Sequence, residues 1–306
     1  MTNQLTRREW HRLVLGGLGA SALASTARGA GKMIDSRSQG VLIGAQSYSF
    51  RDRPLDKAIA AYVAVPLGEA ELWQGHVEPR PDSERFQLMS AAEKADSREK
   101  LRKWRLETPL SHFQQVGDKF RAAGVDPYAY NYSFQDDFTD AEVDRGFEMA
   151  KAMGAKVITA SANQKTVARI AAAANKHKMR VGMHNHSRID PNEFATAEDL
   201  EKAMATSEYI CTNLDIGHFT AANQDAVAFL RKHHDRIVTL HIKDRKKNQG
   251  DNMPFGEGDT PIKEVLGLLK QNKWPIPANI EYEYKGGDSV EEVRRCLDYC
   301  KKALGA

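Results

Sequence analysis

The sequence predicts a single (β/α)8 barrel over residues 40–304, and three observations carry that reading. Short β-rich runs alternate with amphipathic helical patterns eight times from residue 40 onward, which marks a parallel sheet whose crossovers are helices. The alternation occupies about 260 residues, the usual size of such a barrel. No Gly-x-Gly-x-x-Gly follows the first strand, so an open dinucleotide-binding sheet lacks its main support. The chain is 41% hydrophobic and 28% charged, ordinary values for a globular protein. No repeat or linker separates a second domain.

Residues 1–30 stand apart. Arg7 and Arg8 are adjacent, a weakly apolar Gly/Ala-rich run follows from Leu13 to Ala24, and small residues suited to cleavage come next. That layout is an export signal, and its Thr-Arg-Arg opening resembles the twin-arginine type. The apolar run is too short for a comfortable membrane span. A periplasmic, soluble product is therefore expected. The segment carries four arginines and one glutamate, so without it the formal charge falls from +3 to 0. A neutral mature chain argues against nucleic acid as a partner, because phosphate binding rests on a positive surface.

The eight strand candidates are residues 41–50, 70–77, 126–134, 155–161, 179–186, 208–217, 236–243 and 278–284. The helix over 139–154 starts at an N-cap, Thr139, and closes at Gly154. "QKTVARIAAAANKHK" and "TAEDLEKAMAT" are the next two helical patterns, and "DTPIKEVLGLLKQNK" opens with Pro261 in its first turn. The long charged connection after the second strand is expected to place an extra helix over the barrel mouth. Cys296 and Cys300 lie one helical turn apart and read as two half-buried thiols. With Cys211 they make no disulfide framework.

Active sites of such barrels lie at the carboxyl ends of the strands. Strand five ends in His184 and His186, strand six in Asp215 with His218 beyond it, strand seven in His241, Lys243, Asp244 and Arg245, and strand eight in Glu281 and Glu283. Four successive strands thus offer nitrogen or oxygen ligands at one level. Mixed imidazole and carboxylate donors suit one divalent ion, Mn²⁺, Zn²⁺, Co²⁺ or Fe²⁺, better than Ca²⁺.

The motifs "LDIGHF", "LHIKD" and "IEYE" together make the chain resemble the xylose isomerase-like barrels, which include D-tagatose 3-epimerase, inosose isomerase-type proteins and endonuclease IV. The resemblance covers roughly residues 40–300. It implies metal ligation by Asp215 and His241, substrate binding by His218, and a joint ligand and acid/base role for Glu281. At strand five the epimerases carry a Glu as first ligand and partner base. Here His184 stands in that place. The set His184, Asp215, His241 and Glu281 carries two negative charges rather than three, so a divalent ion would leave it neutral and more polarising. The displaced base is then His186 or Glu283, unless the reaction is not a two-base epimerisation. Glu283 is also the alternative ligand.

Gln46, Tyr48, Trp73, His76 and Asn131 complete a candidate sugar pocket, with barrel packing as the rival reading for Gln46 and Tyr48. Lys243 shares a face with His241 and could bind an oxyanion. Arg245–Lys247 reads as a solvated loop, and "PFGEGD" either closes over the mouth with Glu257 or forms a plain turn. The expected function is metal-dependent sugar or polyol isomerisation or epimerisation by proton transfer alpha to a carbonyl. A keto-glycoside lyase or hydrolase on the same site is the second reading, and a non-catalytic sugar-binding protein the third. The sequence leaves homo-oligomerisation, the sugar and the metal open.

Overall fold

The computed structural model describes residues 32–79 and 83–306; the export signal expected at residues 1–30 lies outside the described residues. Eight parallel strands close on themselves: β1 (Val41–Gln46), β2 (Glu69–Trp73), β3 (Asp126–Asn131), β4 (Val157–Ala160), β5 (Val181–His184), β6 (Ile210–Asp215), β7 (Ile237–Ile242) and β8 (Ala278–Ile280). Each pairs with the next, and β8 pairs with β1. Around them run α1 (Leu55–Ala64), α2 (Ser83–Leu88), α3 (Ala91–Glu107), α4 (Leu110–Ala122), α5 (Asp140–Met153), α6 (Val167–His177), α7 (Ala197–Met204), α8 (Ile216–Ala221), α9 (Ala226–His233), α10 (Ile262–Asn272) and α11 (Ser289–Leu304). Among the described residues no helix is long and apolar enough to cross a membrane.

All eight expected strands form, but their polar carboxyl ends leave the sheet early. After Gln46 the chain turns into a short 3-10 helix, where the Gln46 side-chain oxygen accepts the Tyr48 N–H at 3.2 Å. β8 ends at Ile280, so Glu281 and Glu283 stand on the following connection rather than on the strand. Side chains replace the lost ladder partners there; Ser49 Oγ accepts the Tyr282 N–H at 2.9 Å. Strands that diverge at a barrel rim need such substitutes, because a buried N–H without a partner is costly.

Local chemistry accounts for the helix ends. Thr139 and Glu142 form a reciprocal capping box at the start of α5, and Gly154 ends it at φ +82°, a left-handed conformation that favours glycine. Apolar side chains fill the layer between sheet and helices. Within the barrel itself the packing is polar: Glu69, Glu71, Thr159, Asn213, Thr239 and Asn279 are all buried there. That differs from the branched aliphatic layers usual in these barrels. Cys296 and Cys300 are fully buried rather than half-buried, because the apolar face of α11 turns inward.

The insertion after β2 folds into α2 and α3, and α3 is docked on α5 by a buried ion network. Arg105 grips Glu78 with two bonds of 2.7 Å. Glu142, fully buried, takes Arg98 at 2.9 Å, Arg102 at 2.8 Å and Arg105 at 3.3 Å. Burial alone would raise the Glu142 pKa, but the hydrogen bonds from Arg98 and Arg102 prevail and bring it down to about 2. A depressed carboxylate contributes stability above its unfolded pKa, lost as pH falls through the folded one. Glu142→Gln should therefore cost about 3 kcal/mol at pH 7. The gap to the parent should close between roughly pH 4.5 and pH 2. Urea unfolding of both proteins across that window checks it; a constant gap would mean Glu142 acts by shape, not charge.

Candidate active site

β5, β6, β7 and the segment after β8 bring His184, Asp215, His241 and Glu281 together, with one ligand atom from each lying within 4.8 Å of the others. The register places Asp215 directly beside His241 on neighbouring strands. All four are buried, and His184 Nδ1 has no hydrogen-bond partner. The other three inward atoms pair with one another and with Lys243: His241 Nδ1 lies 2.9 Å from Glu281 Oε2, and Lys243 Nζ lies 3.0 Å from Asp215 Oδ2 and 2.8 Å from Glu281 Oε2. Two imidazole nitrogens and two carboxylate oxygens converging in this way, one of them unpartnered, fit a divalent ion. Burial, then the neighbouring His241 and His186, pushes the His184 pKa well down, which keeps its ring neutral as a ligand must be.

The other sides of these groups are held in place. Asp215 Oδ1 caps α8 by accepting the His218 N–H at 2.7 Å. His241 Nε2 lies 2.9 Å from Glu71 Oε2. Glu71 has no exposed surface and also receives Gln46 at 2.8 Å, Thr159 at 2.6 Å and Asn213 at 3.1 Å, with Thr239 and Asn279 both at 3.3 Å. These contacts make the Glu71 carboxyl the acceptor for His241 Nε2–H, which leaves Nδ1 aimed at the centre. Glu69 differs: burial, then the Glu71 charge, pushes its pKa well above the carboxylate range, so it stays neutral.

Lys243, expected beside His241 as a cation that could bind an oxyanion, does line the cavity there. Its ammonium is not free, however: it is buried and lies 3.0 Å from Asp215, 2.8 Å from Glu281 and 2.6 Å from Glu283. Burial opposes its charge, but these carboxylates outweigh that and hold its pKa well above the usual lysine value. Arg245 is not in a solvated loop either. Its Nη1 donates to His218 Nδ1 at 2.7 Å and to Ser187 Oγ at 2.9 Å. Arginine is always protonated, so neutral His218 must carry its proton on Nε2, and burial followed by Lys243 keeps the ring neutral. That Nε2 faces Lys243 Nζ at 3.1 Å.

A cavity of about 300 Å³ opens above this cluster. Tyr48, Trp73, Asn131, His186, His218 and Glu283 line it beside the ligand residues, as do Gln46, Ser133 and Ser161. His184 and His186, two apart, meet with ring centres 5.0 Å apart. His76 does not line the cavity. It sits in a 3-10 turn, Nδ1 2.9 Å from Ser47 Oγ and Nε2 3.2 Å from the Arg53 carbonyl, and packs edge-on to Trp73. The early end of β2 turns its ring toward the first loop instead. Glu257 is exposed on its turn and does not enter the site.

Sequence reasoning missed Glu71, Ser133 and Ser161. An acidic residue inside an otherwise apolar barrel strand is the signal that could have exposed Glu71, since a buried charge demands partners.

Comparison with known proteins places the sequence and the fold among relatives. L-ribulose-5-phosphate 3-epimerase of Salmonella typhi is 28% identical over 118 residues, 37% of this chain and 42% of that protein. The chain thus spans about two fifths of the curated relatives it matches. The structure of 3-keto-D-glucoside 4-epimerase from E. coli superposes with TM-score 0.62 at 12% identity, covering 86% of this chain and 99% of that one. The IOLI protein, described with a binding zinc atom, superposes at 0.61 with 13% identity over 86% and 99% of the two chains. These structural likenesses show the shared barrel. The model of the family described as xylose isomerase-like TIM barrel matches residues 94–303, from α3 to α11 and across β3 to β8, and by that match the chain belongs to the xylose isomerase-like TIM barrel family.

Proposed function

We propose that this protein is a divalent-metal-dependent sugar or polyol isomerase or epimerase that moves a proton alpha to a carbonyl. The convergence of four buried ligand atoms from His184, Asp215, His241 and Glu281 carries the reading. His184, Asp215, His241 and Glu281 would hold Mn, Zn, Co or Fe, the ions that mixed imidazole and carboxylate donors favour. When bound, the ion polarises the substrate carbonyl and lowers the pKa of the adjacent carbon acid.

The chain's own groups do the rest. His218 Nε2–H donates to a substrate oxygen, and Lys243 Nζ holds Asp215, Glu281 and Glu283 in place. Trp73 and Tyr48, whose rings meet edge-on at 4.8 Å, form a wall for the sugar ring, and Asn131 supplies a hydroxyl contact. His186 is the base that replaces the family's strand-five carboxylate. Imidazole suits proton transfer near neutral pH, and Glu193 Oε2, 3.6 Å from His186 Nδ1, orients the ring. Glu283 and Glu281 return the proton from the side of Lys243. The twin-arginine-like segment supports export to the periplasm.

A lyase or hydrolase acting on keto-glycosides is the second reading, favoured by His184 replacing one of two carboxylates needed to work opposite faces of a carbon. Elemental analysis after anaerobic purification should find one divalent ion per chain. Incubation of the loaded protein with ketoses, inososes and 3-keto-glycosides in deuterated water then separates the readings. Deuterium on an intact skeleton supports isomerisation or epimerisation, and a released aglycone supports the lyase. Neither product, with the sugar merely bound, would leave a sugar-binding protein.

A further inference from the structure

We propose that the site takes an uncharged sugar and is built against sugar phosphates; the inference rests on reading the cavity as a sugar site. (β/α)8 barrels frequently bind phosphate at the loops after strands seven and eight, using backbone N–H groups and a helix N-terminus. Here the N–H groups of both segments are engaged by the chain's own carboxylates.

After β7, buried Asp244 accepts three N–H groups of the loop. Gly256 and Gly258 donate to Oδ2 at 2.7 and 3.0 Å, and Thr260 donates to Oδ1 at 3.2 Å. An added Cβ on Gly258 would fall 1.9 Å from Asp244 Oδ1, so the loop is closed tightly on that carboxylate. Three converging N–H groups make an anion cradle of the kind phosphate uses, and here an internal carboxylate occupies it, beside rather than within the cavity lining. After β8, the N-terminus of α11 is capped by Asp288, whose Oδ1 accepts Val290 N–H at 2.9 Å and Glu291 N–H at 3.4 Å. Glu292 accepts the Gly287 N–H at 3.0 Å beside it.

Side-chain cations are equally committed among the described residues. Lys243 is the only lysine or arginine lining the cavity, and three carboxylates already surround it. Arg51 donates to the Tyr48 and Tyr282 carbonyls, and Arg245 spends Nε and Nη2 on the Gly250 carbonyl and Nη1 on His218 and Ser187. With a divalent ion bound, Asp215, Glu281, Glu283 and Lys243 sum with it to zero. A phosphate dianion would therefore enter with no counter-charge, next to carboxylates, while a hydroxylated neutral ring meets Asn131, Ser133, Ser161 and the two aromatic walls.

Isothermal titration of the metal-loaded full chain with xylitol and with xylitol 5-phosphate tests this. The uncharged polyol should bind at least tenfold more tightly. Equal or tighter binding of the phosphate overturns the proposal and leaves the isomerase reading standing; binding of neither overturns both. Binding of the polyol without any deuterium exchange into ketoses sinks the isomerase reading while the substrate class holds. Asp244→Ser supplies a second arm. Inorganic phosphate should raise its melting temperature and leave that of the parent unchanged, and a folded variant that ignores phosphate contradicts the occupied cradle. Should the variant not fold, the polyol pair alone decides.

Discussion

Lys243→Met is expected to bind the divalent ion at least tenfold more tightly than the parent while losing turnover by about 10³-fold or more. Both effects follow from where the ammonium sits. Its nitrogen is within 3.0 Å of Asp215 and Glu281, the same carboxylates whose inward oxygens face the candidate centre. It therefore competes for two ligands and repels a second cation. Tenfold in affinity is only about 1.4 kcal/mol, a small share of the repulsion between such charges even at an effective dielectric constant near 20. Without metal the variant leaves buried Asp215 and Glu281 and half-buried Glu283 without the ammonium, so its apo form should melt earlier and its metal-induced stabilisation should exceed that of the parent. Turnover falls because Glu281 and Glu283, which return the proton, lose the ammonium that holds them. Metal titration, melting curves with and without ion, and kcat distinguish the outcomes. Unchanged or weaker metal affinity would mean that Lys243 supports the ligand set instead of competing with it.

The strand-end chemistry was legible because barrels put function at one rim and strands alternate faces. His184, Asp215, His241 and Glu281 could be placed at one level by their position after apolar runs alone, and the closed sheet then brings them together. What could not be read was which way a side chain turns once its backbone has left the ladder. His76 lies three residues beyond Trp73, and a single 3-10 turn sends its ring to Ser47 and Arg53. Arg245 looks solvated in a run of cations, yet a loop that returns its Gly250 carbonyl makes it the partner of His218. The role of Lys243 depends on three carboxylates from two other elements, a long-range coincidence that spacing does not encode. Glu71 was missed because "EAELW" alternates as a half-exposed strand would. Only closure of the barrel, which buries the inner face completely, turns that acidic residue into a structural anion.

Glu71→Gln is expected to lower metal affinity by about 10- to 100-fold and to cost about 3–5 kcal/mol of stability. The carboxylate is an acceptor for six side chains, three on each oxygen. An amide keeps the shape but offers one accepting oxygen, and its NH₂ would confront donors it cannot satisfy. Each stranded buried donor costs about 1–3 kcal/mol, which the network offsets only by rearranging. The rearrangement reaches the candidate centre through His241. Once Nε2–H has no anionic acceptor, the tautomer that presents Nδ1 to the ion is no longer favoured, and the ring loses basicity as a ligand. Glu71→Asp retains the charge at a shorter reach, so it should recover part of the metal affinity even where stability is not restored. Metal titration and urea unfolding on both variants separate the roles. If Glu71→Gln unfolds earlier yet binds metal as the parent does, the carboxylate holds the barrel together and has no part in setting the ligand.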